Sequence, residues 1–589
     1  MADFRKWLPV LALVALMLGS MSTASAQTAF SCSATTGAVT PIIRGEGITE
    51  LVGDIVLQCT GGIPAATPEA VPQVNIQIFL NTQITSRILD SNSTTEATLL
   101  IDDPAVGART LGPIPGVVPA GANNVYLSRR VAENAVAFLG IPVDAPGTTG
   151  TRILRITNLR VNASGIGVST SFIQNQAIAF ISISGATTIP VNPAQLPVAF
   201  VSRGMDFSLA AHARNLRQCV AVNRDLTSPD PDESGTINAV LEYEEGFPTA
   251  FKTRGAVTGG AIVQNVIGTN YNTESGFTLD ALNAAAGIAN TGTRVMARFN
   301  GLPAGVTAYV TTINTNRLVL PDVGLEASYV SGTDLNGAGG FPDPSGIIKA
   351  GTAGGFDLVQ VNTVNGSGMA VWEVTGVGPQ SNSTLESLTF GVVFAYTPNF
   401  ANNVPALGTG TVTGSFAPLS VVTSASQNQP IPRFVGPGTS ADIIRIAACV
   451  TNLLFPFVTN QAGFDTGIAI TNTSQDPFSS SNAQGGTCVL NFYGGTTAAP
   501  GTNPPAQTSQ AINAGQQLVM SLSAGGNLGA GPVAGFQGYV IAQCNFLYAH
   551  GYAFISDVGA QRLAQGYLAL VMGPGGETRG LAAAEALNQ

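Results

Sequence analysis

The chain has 589 residues and a formal net charge of -10, and only 10% of its residues are Asp, Glu, Lys or Arg. An average soluble domain carries roughly 25% charged residues, and nucleic acid requires a clustered basic face, so the composition argues against a nucleic-acid partner. It also argues against long amphipathic helices, whose surfaces are usually charged. The 69 glycines and 35 prolines instead predict many short strands joined by turns.

The N-terminus predicts an exported protein. A basic pair at 5–6 precedes an apolar run over 8–18, and the small residues ASA follow at 24–26. This is the pattern of a bacterial Sec-type signal peptide, with cleavage expected after Ala26. We therefore expect a secreted or cell-surface protein, with the periplasm as an alternative, and no transmembrane segment after cleavage.

Period-two strand signals recur along the chain. Apolar residues alternate in VNIQIFL (74–80) and in LTFGVVFAY (388–396). Within 356–374, the pair Asn365-Gly366 predicts a hairpin turn, because these residues tolerate the positive φ angles of a type I′ turn. Regularly spaced short strands favour an all-β fold of tandem antiparallel β-sandwich domains, Ig-like or jelly-roll-like.

Pro-rich stretches at 192–200 and 428–440 divide the chain. The predicted units are a signal peptide over 1–26 and three β-sandwich domains over 27–205, 206–435 and 436–589. The segment GTRILRITN, which begins at Gly150, is echoed by GTRVMARFN, which begins at Gly292. A duplication relating the first two domains therefore stays open.

Six cysteines in an exported chain predict disulfide bonds. Two of them flank the first strands of the first domain and two lie well inside the third domain. The remaining two open the second and third domains and pair by subtraction. The predicted pairs are Cys32 with Cys59, Cys219 with Cys449, and Cys488 with Cys544.

Four segments carry a resemblance to known sequences. They are RGEGITELVGDIVLQCTGG (44–62), EGFPTAFKTRG (245–255), CVTNLLFPFVTNQAGFDTGIAITNTS (449–474) and GYVIAQCNFLYAHGYAFISD (538–557). Together they resemble a group of uncharacterised exported multidomain β-rich proteins of acidobacterial type. The resemblance implies export and a modular β architecture. It implies no activity and assigns no functional residue.

Cys544 and His550 raise the question of a catalytic pair. Six residues along a strand span about 20 Å, whereas a thiolate and its base must lie within about 3 Å. We therefore expect a disulfide at Cys544 and a hydrogen-bonded core histidine at His550. Continuous alternation would place His550 in an aromatic stripe with Tyr548 and Tyr552, and these three side chains are the candidate ligand contacts of this domain.

The remaining candidate sites are weaker. Trp372 is a candidate sugar platform, although its neighbours on the strand are apolar. Clustered carboxylates in DLTSPDPDESG (225–235) favour either a calcium site or a solvated acidic loop, and no other cofactor is expected. The acidic residues concerned are Asp225, Asp230, Asp232 and Glu233. Glu242, Glu244 and Glu245 share one predicted strand rather than facing each other across a cleft, which disfavours a hydrolase.

The favoured function is therefore an exported structural, adhesive or surface-assembly protein without catalytic activity. Its expected partners are cell-surface components, glycans or copies of itself. The alternatives are a carbohydrate- or ligand-binding extracellular module and, less favoured, a carboxylate-based hydrolase.

Overall fold

The computed structural model describes residues 29–572 with internal gaps. The gaps are residues 38, 67–70, 113–122, 186–187, 212–213, 220–236, 256, 259–260, 263–271, 280–285, 319–323, 343–348, 379–382, 398–403, 437, 476–483 and 560–561. The predicted signal peptide therefore lies outside the described residues. Within them, the helical elements are short 3₁₀ turns at Ala163–Gly165 and Thr315–Leu318. None of the described helices has the length and apolar character needed to cross a membrane.

The first region is built around one long sheet. Its strands are β1 (Ser31–Thr36), β2 (Ile42–Arg44), β3 (Glu50–Leu51), β4 (Ile55–Gly61), β5 (Gln73–Leu80), β6 (Thr94–Ile101), β7 (Val125–Ala132), β8 (Ala135–Pro142), β9 (Gly147–Thr157), β10 (Arg160–Val161), β11 (Asn175–Gly185), β12 (Val191–Asn192) and β13 (Gln195–Ser202). The sheet has 11 strands in the order β12-β1-β4-β9-β6-β7-β8-β5-β11-β13-β2, and β3 pairs separately with β10. Apart from the β1–β12 and β13–β2 pairs, neighbouring strands are antiparallel.

This sheet curls around one large core. The alternating apolar residues of β5, from Val74 to Leu80, are buried, as their sequence pattern predicts. Ile43 at one end of the strand order and Leu154 in β9 belong to the same hydrophobic cluster. Because strands distant in the sheet order share one cluster, the sheet folds back on itself as a sandwich does.

The middle region contains two facing sheets. Its strands are β14 (Met205–Ala211), β15 (Arg214–Arg217), β16 (Ala239–Glu245), β17 (Val257–Thr258), β18 (Ala261–Ile262), β19 (Arg294–Asn300), β20 (Thr307–Thr311), β21 (Glu326–Ser331), β22 (Phe341–Pro342), β23 (Gly351–Ala353), β24 (Phe356–Gln360), β25 (Thr363–Val364), β26 (Ser367–Gly376), β27 (Ser387–Ala395), β28 (Gly408–Ala417) and β29 (Thr439–Ala447). One sheet has the order β14-β16-β27-β20-β24-β23, and the other has the order β15-β29-β28-β19-β26-β21-β22, with β25 beside β26. The strands β17 and β18 pair with each other.

The two middle sheets pack through aromatic side chains. Trp372 of β26 stacks on Phe390 of β27, with ring centroids 4.1 Å apart. Strand β29 pairs within the middle region, although the predicted boundary between residues 435 and 436 assigns it to the third domain. The domain boundaries stay predictions.

The C-terminal region is a compact pair of sheets. Its strands are β30 (Thr451–Thr459), β31 (Asp465–Asn472), β32 (Cys488–Thr496), β33 (Gln507–Thr508), β34 (Gln517–Ser521), β35 (Gly525–Gly526), β36 (Phe536–Cys544), β37 (Ala549–Ser556), β38 (Ala564–Leu568) and β39 (Leu570–Met572). They form two five-stranded sheets, β33-β32-β36-β30-β39 and β35-β34-β31-β37-β38, around one apolar cluster. The prediction of an all-β fold of antiparallel sandwich units is confirmed.

A buried ionic network joins the first two regions. Arg44 donates to both carboxylate oxygens of Glu274 at 2.7 and 3.0 Å, and its Nε donates to Glu50 at 2.9 Å. Its guanidinium lies 4.8 Å from the ring centre of Phe434. All three charged side chains are at most 2% exposed. Burial alone would raise the pKa of Glu274, but the charge and hydrogen bonds of Arg44 outweigh burial and lower it.

Three disulfide bonds join the same cysteine pairs that the sequence predicts. Cys32 lies opposite Cys59 across β1 and β4, and Cys488 lies opposite Cys544 across β32 and β36. The third bond joins Cys219 to Cys449, and Leu547 of the C-terminal region packs in the same buried cluster.

Candidate functional site

The structure separates the residues of the suspected catalytic pair. Cys544 ends β36 in one sheet and is bonded to Cys488, whereas His550 lies in β37 of the other sheet. A disulfide sulfur has no thiolate to offer, so these residues do not form a nucleophile and base.

The predicted aromatic stripe is interrupted where the chain changes sheets. Phe546 and Leu547 are both buried, and Tyr548 has a positive φ of 62°. This irregular link shifts the alternation by one residue, so that Ala549 and every second residue after it face the core. The prediction of a core histidine is therefore wrong, because His550 faces solvent.

The structure does not place the other described candidates in a binding or catalytic arrangement. Trp372 is fully buried and its Nε1 donates to the backbone oxygen of Thr311 at 2.9 Å, so it offers no platform to a ligand. Glu245 points inward while Glu244 of the same strand is exposed, so no opposed carboxylate pair forms between them. Among the described residues, no group of three or more His, Cys, Asp or Glu side chains is arranged to hold a metal ion. The calcium candidates lie outside the described residues and are Asp225, Asp230, Asp232 and Glu233.

The C-terminal region exposes aromatic side chains on the outer face of one sheet. Tyr552 and Phe554 of β37 are 44% and 45% exposed. A row of side chains crosses four strands at this level, in the order Val519, Ala469, Tyr552 and Leu568. We call this surface the aromatic face and define it by Val519, Tyr548, His550, Tyr552, Phe554 and Leu568, all of which are exposed.

Small neighbours let these rings lie on the sheet. Phe554 is opposite Gly467 on one side and Gly566 on the other. A β-carbon placed on Gly566 would lie 1.9 Å from the hydroxyl oxygen of Tyr552, so the ring of Tyr552 covers this glycine. Only glycine leaves room for that arrangement.

A groove opens at the adjoining end of the same sandwich. We call it the end groove, and its volume is about 460 Å³. Its lining residues are Phe457, Thr459, Gln461, Ala462, Phe464, Gln537, Ile555, Leu563, Ala564 and Gln565. None of these side chains is ionisable. The groove therefore combines aromatic and aliphatic surface with hydroxyl and amide groups.

Local irregularities shape the end groove. The pairing of β30 with β36 shifts register between Phe455 and Val458, and Phe457, within this shift, is 48% exposed. Such bulges re-aim side chains at sheet ends. In the following turn, Ala462 and Gly463 both have positive φ angles, and Phe464 N–H donates to the oxygen of Gln461 at 3.0 Å.

Charge is nearly absent from this region. Among the described residues from 449 to 572, the Asp, Glu, Lys and Arg side chains are Asp465, Asp557 and Arg562. Asp465 accepts hydrogen bonds from Asn460 Nδ2 at 3.0 Å and from the N–H of Ser523 at 3.2 Å, so it caps neighbouring turns. The surfaces of this region suit an uncharged partner.

Sequence reasoning located part of this site and missed the rest. Tyr548, His550 and Tyr552 were candidate contacts, and they do lie on an exposed face. The end groove was missed because its residues come from segments as far apart as Phe457 and Gln565, which no local pattern connects. The scarcity of charged residues after position 449 was the one sequence feature that indicated an uncharged binding surface in this region.

Among known proteins, similarity to this chain is found only with solved structures, at low sequence identity. No protein-family model matches it, and no curated protein matches its sequence. Among solved structures, it is similar to the C-terminal domain of the AgI/II polypeptide BspA of Streptococcus agalactiae, with 7% identity and a TM-score of 0.22. That alignment covers 69% of this chain and 100% of the other.

Two further structures give comparable values. The serine-rich repeat adhesion glycoprotein Srr1 of Streptococcus agalactiae has 10% identity and a TM-score of 0.17, over 70% of this chain and 98% of the other. The T6 backbone pilin of serotype M6 Streptococcus pyogenes has 9% identity and a TM-score of 0.19, over 92% of this chain and 81% of the other. Similarity at this level transfers no function to the chain.

Proposed function

We propose that this chain is an exported structural and adhesive protein of the cell surface, in which the C-terminal region makes the contact. The aromatic face is the observation that carries the proposal. Contiguous exposed apolar surface on a soluble domain marks an interaction site, and Tyr and Trp are the residues enriched at such sites. Tyr552, Phe554 and Leu568 provide surface of this kind on neighbouring strands.

The first two regions serve as the support in this proposal. The network of Arg44, Glu50 and Glu274 fixes one region to the other, because displacing either partner would leave a buried charge unpaired. Three disulfides suit a protein that works in an oxidising compartment. The proposal assigns no catalytic role to any residue.

The test is display and adhesion by cells that express and export the chain. We expect externally added protease to degrade the chain on intact cells, and the cells to adhere to one another or to a glycan-coated surface. The variant with Tyr552→Ser and Phe554→Ser should lose most of this adhesion at equal display. Val421→Ser is the matched control, because Val421 is 96% exposed on another region.

Two results would overturn this proposal. One is full protection of the chain from protease until the outer membrane is opened. The other is equal adhesion by the aromatic-face variant and the Val421→Ser control.

A further inference from the structure

The end groove has the size and composition of a ligand site. Pockets for small ligands usually enclose about 300–1,000 Å³ and combine apolar walls with a few placed polar groups. The end groove encloses about 460 Å³, with Phe457 and Phe464 among its apolar residues. Both rings are at least partly exposed, so their surfaces are available to a ligand.

Three glutamines supply both hydrogen-bond donors and hydrogen-bond acceptors. Gln461 Nε2 donates to the oxygen of Gly535 at 2.8 Å, which holds the side chain and leaves its amide oxygen as an acceptor. Gln537 Oε1 accepts from the hydroxyl of Thr459 at 3.3 Å, which leaves its NH₂ group as a donor. Gln565, on the edge strand β38, is exposed beside them. Sugar hydroxyl groups both donate and accept, so they match such a set.

The charge of the groove selects among possible occupants. An acidic glycan, a phosphorylated ligand or a charged peptide would lose hydration in the groove without gaining an ion pair to any lining residue, because none of these residues is ionisable. Asp465, which follows Phe464, already accepts hydrogen bonds from Asn460 and Ser523. An uncharged ligand with hydroxyl groups and apolar C–H faces is complementary to these walls.

We infer that the end groove binds neutral sugar units of a glycan chain, with the rings of Phe457 and Phe464 against the sugar faces and the amides of Gln461, Gln537 and Gln565 on the hydroxyl groups. This inference rests on the proposed function, in which the C-terminal region makes the contact. It adds the chemical class of the partner and a second surface beside the aromatic face.

The test is isothermal titration of the purified mature chain with soluble neutral oligosaccharides of glucose, mannose, galactose and xylose. Polygalacturonate is the acidic comparison. We expect at least one neutral series to bind and the acidic polymer not to bind. Gln565→Ala should weaken binding by about 2- to 10-fold, the effect of one hydrogen bond. Phe464→Ala should weaken it by about 10-fold or more.

Gln517→Ala is the matched control. Gln517 is an exposed glutamine in the same sheet, but it pairs with Thr471 at the end of β31 opposite to Asp465. Its removal should leave the affinity unchanged, and all three variants should show the same thermal unfolding midpoint as the parent chain.

Several outcomes would overturn the inference. They are no binding of any neutral series, equal affinity in the Gln565→Ala, Phe464→Ala and Gln517→Ala variants, and equal binding of the acidic polymer. Self-association lost only in the Phe464→Ala variant would overturn it too, since a second copy would then occupy the groove. Sugar binding without surface display would overturn the proposed function alone.

Discussion

Charge is used in opposite ways in two parts of the molecule, which are the C-terminal region and the junction that joins the first region to the middle region. At the junction, Arg44, Glu50 and Glu274 are buried together. In the described residues from 449 to 572, Asp465, Asp557 and Arg562 are the charged side chains. The junction thus buries charged side chains between two regions, whereas the region with exposed aromatic side chains has almost no charge.

The difference separates two sources of specificity. Buried ion pairs tolerate one arrangement only, because any displacement leaves a desolvated charge without its partner. An uncharged surface of aromatic and amide groups imposes no such condition, and it interacts with neutral surfaces at any ionic strength. The junction is therefore suited to rigidity and the C-terminal region to contact.

Removing one charge from the junction should have the largest effect on stability. Glu274→Ala leaves Arg44 buried with a single carboxylate partner. We expect a loss of about 3–5 kcal/mol in the free energy of unfolding of the first two regions, measured by urea denaturation. Glu133→Ala, which breaks a pair with Arg130 in which Glu133 is 62% exposed, is the control and should cost less than about 1 kcal/mol. Equal losses would show that the junction pair is not special.

The C-terminal region should depend on its covalent link instead. Replacing Cys488 and Cys544 together with alanine removes a bond between cysteines 56 residues apart. We expect the free energy of unfolding of this region to fall by about 3–4 kcal/mol. Hydrogen exchange of β30 to β39 measures this effect, and exchange in the first region should not change. Matching losses in both regions would mean that they unfold as one unit.

The pH dependence of stability should also differ between regions. Burial raises the pKa of Glu245 in the middle region to about 8, although its carboxylate accepts N–H groups of Phe251 and Glu386. The folded state therefore holds this proton more tightly than the unfolded state, whose carboxyl has the ordinary pKa of about 4.5. The stabilisation that this proton contributes is therefore fully present below about pH 4.5, and it is lost as the pH rises through the folded-state pKa of about 8.

We expect this loss to amount to about 3–4 kcal/mol between pH 5 and pH 8, measured by urea denaturation at each pH. Glu245→Gln should flatten the profile of the middle region. A profile that stays equally steep in this variant would assign the dependence to another group.

The smallest effect is expected from salt. Raising the ionic strength from about 0.05 to 0.5 M screens charge interactions, but the C-terminal region has almost none to screen. Its free energy of unfolding should change by less than about 0.5 kcal/mol when NaCl is used. A larger change would contradict the role given to its uncharged composition.

Local patterns predicted strands well but not the sheets to which they belong. The alternating residues of 388–396 lie in β27 with their apolar face buried. Asn365 and Gly366 both have positive φ angles, and β25 and β26 pair across them, as the turn signal predicts. The prediction that residues 356–374 form one hairpin about this turn is wrong, because β24 pairs with β20 in the opposite sheet. Alternation reports which face is buried and carries no information about the partner strand.

The same limit applies to the candidate site. The disulfide partners followed from the positions of six cysteines, but the exposure of His550 depended on a change of sheet between Cys544 and Ala549. A strand that continues and a strand that crosses to the other sheet have the same local composition. Only the packing of Phe546 and Leu547 distinguishes the two cases.

The bond between Cys219 and Cys449 determines how the molecule would carry tension. These cysteines are 230 residues apart and enclose most of the middle region. A pulling force applied to the two ends of the chain can pass along the covalent path from Cys219 to Cys449, so the segment between them cannot be drawn out into an extended chain. While this bond is intact, tension can extend the first region, the C-terminal region and the strands β14 and β15 that precede Cys219, but it cannot extend the enclosed strands β16 to β29.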